Sequence, residues 1–496
     1  MDYALAYFFF GLPYLVAVLL GLGMMLFGAI SFANPRVGLT IAGLTYVADA
    51  MLTANVGLRL GVSVFLPDLP FVMLALVALM RFSLLKEARP RTLAFYLFAL
   101  VFAMNLVHGL VVFKASAGPP ARPAFYALAA CAYLLSFPMD ARRLRSLYNV
   151  LVWVGVALLA MVVYRMTITA LDVRELLPPS GSFQPAGHSK WRVISSGETL
   201  VVAEAMVALW VFYGLAPGWT TWRFLVPLLA VAAVVLQHRS VWLASLAGYG
   251  GFYLGRMKSL FDARHVLPLL VLLIGLAGGV TMLARSGGEG GGGGVGGDVV
   301  KSARDAAQLQ GTAGERLRSW QQMVEGWAAA GPRSWVAGQP FGTVYDRIVR
   351  DENQIRRISY TAHNYYVELL ASQGLVGLLS FLAIYLTCVT GLWRLRRDPD
   401  FGLAARWLLV MVSFQMVYYL TYGVEFFQSL FLGAALSLVC RNRALAAPVP
   451  ERAHRAAGRT STAGLPTEGL PVIPMSSFRR SARMGWLGQR TRLPRP

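Results

Sequence analysis

The feature that most limits this chain is a succession of apolar runs, each roughly 17 to 25 residues long and nearly free of charge, repeated along most of its length. Water cannot satisfy backbone N–H and C=O groups inside a bilayer. A run of that length must therefore close its own hydrogen bonds as a helix. Barrel strands are short and alternate in polarity, and these runs are continuous, so the pattern argues against a β-barrel. With 56% hydrophobic and only 14% charged residues among 496, the expectation is an all-α polytopic membrane helix bundle of about 12 or 13 spans. The second span, near 37–57, is the irregular one. Asp49 and Asn55 lie within it and Arg59 just past it, which predicts a broken or re-entrant segment.

The first run lacks a basic n-region and a small-residue cleavage site, which predicts a retained helix, not a signal peptide. Cys131, Cys388 and Cys440 sit in apolar context without disulfide or metal spacing and read as packing residues. The net charge of +21 would suggest nucleic acid in a soluble protein. Here arginine and lysine concentrate in short loops and the tail, where they set topology and meet anionic lipid, so no nucleic-acid partner is expected. Four basic loops, at Arg81–Arg91, Arg142–Arg145, Arg256–Arg264 and Arg394–Arg397, fall on one side, which should be cytoplasmic together with the C-terminus.

Two domains follow. Residues 1–440 form the membrane domain, and 441–496 a basic tail with eleven arginines against two glutamates. Rich in Pro, Ala, Gly and Ser, that tail should be disordered and cytoplasmic. Two polar segments face the other side, about 169–198 and 286–362. The larger opens with Ser286-Gly287-Gly288-Glu289 and a glycine run to Gly297, which has no preceding strand and no Gly-Lys-Ser/Thr, so it reads as a tether. After it, Leu317, Trp320, Met323, Val324 and Trp327 recur at helical spacing, which predicts an amphipathic helix on the membrane surface or capping the bundle.

Several residues at this outer face carry chemistry. Arg239, in Gln237-His238-Arg239-Ser240, heads a tight turn between two apolar helices. A guanidinium there is a snorkelling end residue or a binder of anions, for which its planar, permanently charged fork is suited. Arg316 begins the amphipathic helix, and Arg192 ends the first outer loop. Glu198 and Glu425, near the outer ends of their helices, are candidates for structural pairing with an arginine. His363 stands where the polar segment meets an apolar run, with Asn364 beside it. Gly374 and Gly377 would leave one face of the next helix bare for a close neighbour. There is no Gly-x-Ser-x-Gly elbow, no Asp-x-Asp and no His-Glu-x-x-His, so neither a serine triad nor a metal site is expected.

His363-Asn364, nine residues, then Gly374-x-x-Gly377 resembles the His-[Asn/Ser/Gln]-x9-Gly-x-x-Gly pattern of the O-antigen ligase/polymerase superfamily. Arg316-x-x-x-Trp320 resembles that family's loop-helix start. Gln237-His238-Arg239-Ser240 resembles its Ser-Arg-Gly-like turn, with Ser240 where glycine is common. The likeness covers about 190–440 in detail. It implies a glycosyltransferase at the outer (periplasmic) face of a bacterial inner membrane, taking a glycan from a polyprenyl-diphosphate donor to a hydroxyl on a glycan or lipid acceptor. On that reading Arg239 and Arg316 are expected to hold the diphosphate and His363 to act as base or to position the acceptor, with Arg192 and Asn364 as weaker site candidates, without cofactor or metal. Polymerisation of exopolysaccharide or O-antigen units is preferred to ligation onto a lipid A core, because neither the large loop nor the tail shows a dedicated acceptor-binding domain. A lipid-linked glycan transporter is the reading from a different class. It would favour internal repeats, which the chain does not show.

Overall fold

The computed structural model describes residues 22–52, 57–59, 63–65, 67–89, 92–171, 193–213, 225–236, 238–254, 312–343, 346–351, 354–359 and 362–445. The first outer loop, the glycine run and the basic tail lie almost wholly outside them. Among the described residues the architecture is helical: α1 (Leu22–Ala33), α2 (Pro35–Leu52), α3 (Asp68–Leu84), α4 (Leu93–Phe113), α5 (Gly118–Leu135), α6 (Ala141–Ala170), α7 (Ser196–Tyr213), α8 (Leu225–Val235) and α9 (Arg239–Leu254). Then come α10 (Thr312–Ala329), α11 (Pro332–Ala337), α12 (Tyr365–Leu395), α13 (Gly402–Tyr418) and α14 (Phe426–Leu445). Three stretches, Leu93–Leu135, Ala141–Ile168 and Tyr365–Leu395, are long and apolar enough to cross a membrane.

Most of these helices are apolar all round, which suits a bundle with lipid on its flanks rather than water. Leu79, Leu93 and Val111 are 63%, 73% and 74% exposed on the outside of α3 and α4, a distribution that water would penalise and a bilayer would not. Inside, small residues let backbones approach. A Cβ on Gly433 of α14 would stand 2.3 Å from the Cys131 carbonyl oxygen of α5, and one on Gly155 of α6 would stand 2.4 Å from Ala205 of α7. The three cysteines are buried in this packing.

Two small antiparallel hairpins interrupt the helices. Among the described residues α2 runs to Leu52, and β1 (Gly57–Arg59) pairs with β2 (Ser63–Phe65), so the segment expected to be irregular near 37–57 holds a helix and the first strand of a ribbon. β3 (Asp346–Asp351) pairs with β4 (Gln354–Ser359), with Asp351 opposite Gln354, inside the large polar segment. The runs Arg-Ile-Val-Arg in β3 and Ile-Arg-Arg-Ile in β4 carried the signal for strands, which the sequence reading passed over.

The predicted amphipathic helix is present as α10, and it caps one end of the bundle over the start of α12. Its inner face is narrower than the apolar spacing suggested. Met323 is buried against Ala362 and Ala371, whereas Leu317 and Val324 are exposed.

Candidate active site

His363 precedes α12 and has φ +43, one of two non-glycine residues in the left-handed region among those described. That conformation is sparsely populated and holds only where both sides of the residue are tied. On one side the Trp320 indole N–H of α10 donates to the carbonyl of Ala362. On the other, Asn364 is the N-cap of α12: its Oδ1 accepts from the backbone N–H of Tyr366 at 3.0 Å and of Val367 at 3.2 Å. The side-chain oxygen of Asn364 is thus occupied in starting the helix that holds His363.

The segment joining α13 to α14 supplies the rest of the wall. The N–H of Tyr365 donates to the carbonyls of Tyr419 (2.9 Å) and Tyr422 (3.1 Å), which fixes that segment against the head of α12. The Tyr422 ring meets the His363 ring edge-on, with centroids 5.8 Å apart. Arg316 reaches the same residue from α10. Its guanidinium lies 5.0 Å from the Tyr422 ring centroid and donates to the Tyr422 hydroxyl at 3.5 Å and to the Thr421 carbonyl at 3.3 Å. Arg316 and Trp320 are four apart on one helix, so a single face of α10 both presents the guanidinium and ties down Ala362. Burial, and then the charge of Arg316, hold the His363 imidazole below its ordinary pKa. A lowered pKa favours the neutral imidazole at pH 7, the form that can take up a proton.

The other expected residues divide. Arg239 is the first residue of α9, and its side chain lies outside the described residues. Its neighbour His238 places a ring nitrogen 3.1 Å from the carbonyl of Ile194, two residues before Ser196, whose Oγ accepts from the Tyr418 hydroxyl at 3.0 Å. The head of α9 therefore lies at the same end of the bundle as His363 and Arg316. Arg192 falls outside the described residues. Glu198 closes a capping box at the start of α7, where its Oε2 accepts from the Ser195 N–H at 2.7 Å and the Ser195 Oγ accepts from the Glu198 N–H at 3.3 Å.

The two motif glycines act differently from the bare helix face expected of them. Gly374 breaks α12 with φ +65 and ψ −167, and a Cβ there would stand 2.5 Å from Gly338 N and from the Val336 carbonyl oxygen. Its close neighbour is thus the backbone at the C-terminal end of α11. Gly338, itself at φ +81, meets the backbone of Ser372 and Gln373 in return. Asn105 of α4 closes the junction, its amide donating to the carbonyls of Ser372, at 2.8 Å, and of Ala337. Gly377 makes room for the side chain of Gln373 beneath the break. The glycine pair thus locks the outer segment onto the kinked helix that carries His363.

Tyr422 is the residue that sequence reading missed. The available signal was the aromatic cluster Tyr418-Tyr419-Leu420-Thr421-Tyr422 at a helix end, which passes for an interfacial belt.

Residues 224–382 match the family model for O-antigen ligase, a stretch that includes Arg239, Arg316, His363, Asn364 and both glycines. That stretch is an O-antigen ligase domain. It occupies about a third of the chain. No curated protein matches the chain. The match, together with the apolar helices, supports a membrane protein with an O-antigen ligase or polymerase type of activity in the broad sense.

Proposed function

We propose that the O-antigen ligase domain transfers a glycan from a polyprenyl-diphosphate donor to an acceptor hydroxyl at the periplasmic face of a bacterial inner membrane, without a metal, with the C-terminus cytoplasmic. The favoured outcome is polymerisation of exopolysaccharide or O-antigen repeat units. In the reaction the acceptor oxygen forms a bond to the anomeric carbon, the bond from that carbon to the diphosphate oxygen breaks, and the electron pair leaves with the diphosphate. Arg316 and Arg239 hold that leaving group, since guanidinium pairs with phosphate oxygens and keeps its charge at any working pH. His363 takes the hydroxyl proton.

The observation that carries this reading is the meeting of His363 and Arg316 on one tyrosine. A neutral imidazole is ready to accept a proton, and the guanidinium beside it is held by a carbonyl, a hydroxyl and a ring, none of which neutralises it.

The test uses purified protein in detergent with a polyprenyl-diphosphate-linked repeat unit and EDTA, with products resolved on a gel. A ladder of lengthening glycans is expected. A single shift that needs added lipid A core would make the protein a ligase instead. His363→Ala should lower transfer by about 10²–10⁴-fold, the usual share of general base catalysis, at an unchanged protein level. Product formation by that variant at the wild-type rate would remove His363 from the mechanism.

A further inference from the structure

The segment from Tyr419 to Glu425 supports the site from below. Its carbonyls at 419 and 422 hold the head of α12, its carbonyl at 421 holds Arg316, and Tyr422 carries both Arg316 and His363. It ends at Glu425, whose carboxylate presses on α7: a Cβ on Gly197 would stand 2.1 Å from Oε1. Around Glu425 the structure gathers acids and phenols. Glu204 of α7 is fully buried, and neither carboxylate oxygen has a hydrogen-bond partner among the described residues. The same holds for the hydroxyl of Tyr46 in α2, a residue only 5% exposed. Its ring lies 5.1 and 5.3 Å from Phe426 and Phe427, which sets Tyr46 beside the end of the segment. Asp49 of α2 and Glu198 of α7 also face Glu425, and Tyr418 and Tyr419 of the α13 end feel its charge. Arg165 of α6 faces Glu198 and donates to the carbonyls of Val193 and Ala50.

A negative charge on Glu425 would stand in a half-buried position among carboxyl groups, of which Glu204 has no hydrogen-bond partner among the described residues. Both circumstances oppose ionisation. Burial first, then Glu198 and Asp49, push the Glu425 carboxyl up to about 8.

Resting on the transfer reading above, we propose that Glu425 is a positioning residue: its neutral form seats the 419–425 segment under His363 and Arg316, and its ionisation releases that segment. The ionised carboxylate is repelled by Glu198 and Asp49 and leaves Gly197. Tyr422 and the Thr421 carbonyl move with it, so Arg316 and His363 lose the residue they share.

The experiment compares wild type with Glu425→Gln, which mimics the neutral acid, by the pH dependence of transfer and of the thermal unfolding midpoint in the same detergent. Wild type should lose activity on the alkaline side, so that at about pH 9, roughly one unit above the carboxyl's pKa, the variant transfers about tenfold faster. The midpoints test the same group without any reaction. Because the folded pKa lies above the unfolded one, the unfolded chain gives up this proton first. Wild type therefore loses stability relative to the variant from the ordinary carboxylate range up to about pH 8, after which the difference levels. Parallel rate profiles together with parallel midpoints would overturn the proposal. Should neither protein transfer at any pH, the transfer reading fails while the midpoints still decide the role of Glu425. If Glu425→Gln does not fold, Asp49→Asn removes a facing carboxyl and should move the wild-type alkaline limb to lower pH; an unmoved limb sinks the proposal.

Discussion

Two arginines at the edges of this bundle are held in opposite ways. Arg122 of α5 gives its Nε to Asp68 of α3 at 2.9 Å, lies 4.3 Å from the Phe65 ring centroid, and shares Asp68 with the Tyr126 hydroxyl. Its charge is cancelled by a carboxylate, and the cluster closes on itself. Arg316 has neutral partners: the Thr421 carbonyl, the Tyr422 hydroxyl and the Tyr422 ring. Among the described residues no carboxylate forms an ion pair with it. The first arrangement is complete as it stands and joins α3 to α5. The second fixes a guanidinium in place while leaving its charge for an anion from outside. Near a membrane the difference has a cost, since an uncancelled charge is expensive there and persists where it is used.

The comparison is broken most directly by deleting each charge in turn. Arg316→Ala should lower transfer by roughly 10²–10³-fold, the range seen when a single preorganised charge-stabilising group is lost. Arg122→Ala should leave the rate within about twofold, because nothing near it stabilises a leaving group. Initial rates with the lipid-linked donor, normalised to protein in the membrane, check both. Equal losses in the two variants would mean that Arg316, like Arg122, only holds the fold.

A smaller effect sharpens the electrostatic half of the argument. Burial is the first cause of the lowered His363 pKa and Arg316 the second. A histidine whose folded pKa is depressed contributes stability above its unfolded pKa of about 6.5, and that stability is lost as pH falls through this value toward the folded pKa. The acid limb of transfer should accordingly lie below about pH 6.5. In Arg316→Gln the second cause is gone, so the His363 titration should move upward, as read by imidazole NMR signals or by the pH dependence of histidine acylation. An unmoved titration would show that Arg316 and His363 do not sense each other across Tyr422.

Much of this assembly was legible in the sequence because it is local. The spacing of Arg316 and Trp320 shows as one helix face, and His363-Asn364 shows as the residue before a cap and the cap itself. The apolar runs announce helices because a bilayer leaves the backbone no alternative. The parts that escaped are non-local. Tyr422 meets Arg316 from about a hundred residues away, and no period in either segment records that. Gly374 was legible as a need for space, but its neighbour is the backbone at the end of α11, tied there by Asn105 from a third element. Glu425 was expected to pair with an arginine, and the structure surrounds it with other acids instead, an arrangement that only the packing of α2, α7 and α13 creates.

The smallest expected effect is on stability at the closed cluster. The Arg122–Asp68 pair is mostly shielded, with side chains 18% and 19% exposed, yet it borders solvent or headgroups and is not sealed in the interior. Such pairs contribute about 1 kcal/mol or less, because each ion gives up hydration to meet the other. Arg122→Ala also leaves Asp68 with the Tyr126 hydroxyl and the Phe65 N–H, at 2.7 Å, as remaining partners, so the carboxylate is not stranded. Its unfolding midpoint in detergent should fall by only a few degrees. A much larger fall would mean that Asp68 depends on Arg122 for its charge. The α3–α5 junction would then be a buried ion pair whose breaking costs about 3–5 kcal/mol, and the contrast with Arg316 would lie in the partner and not in the burial.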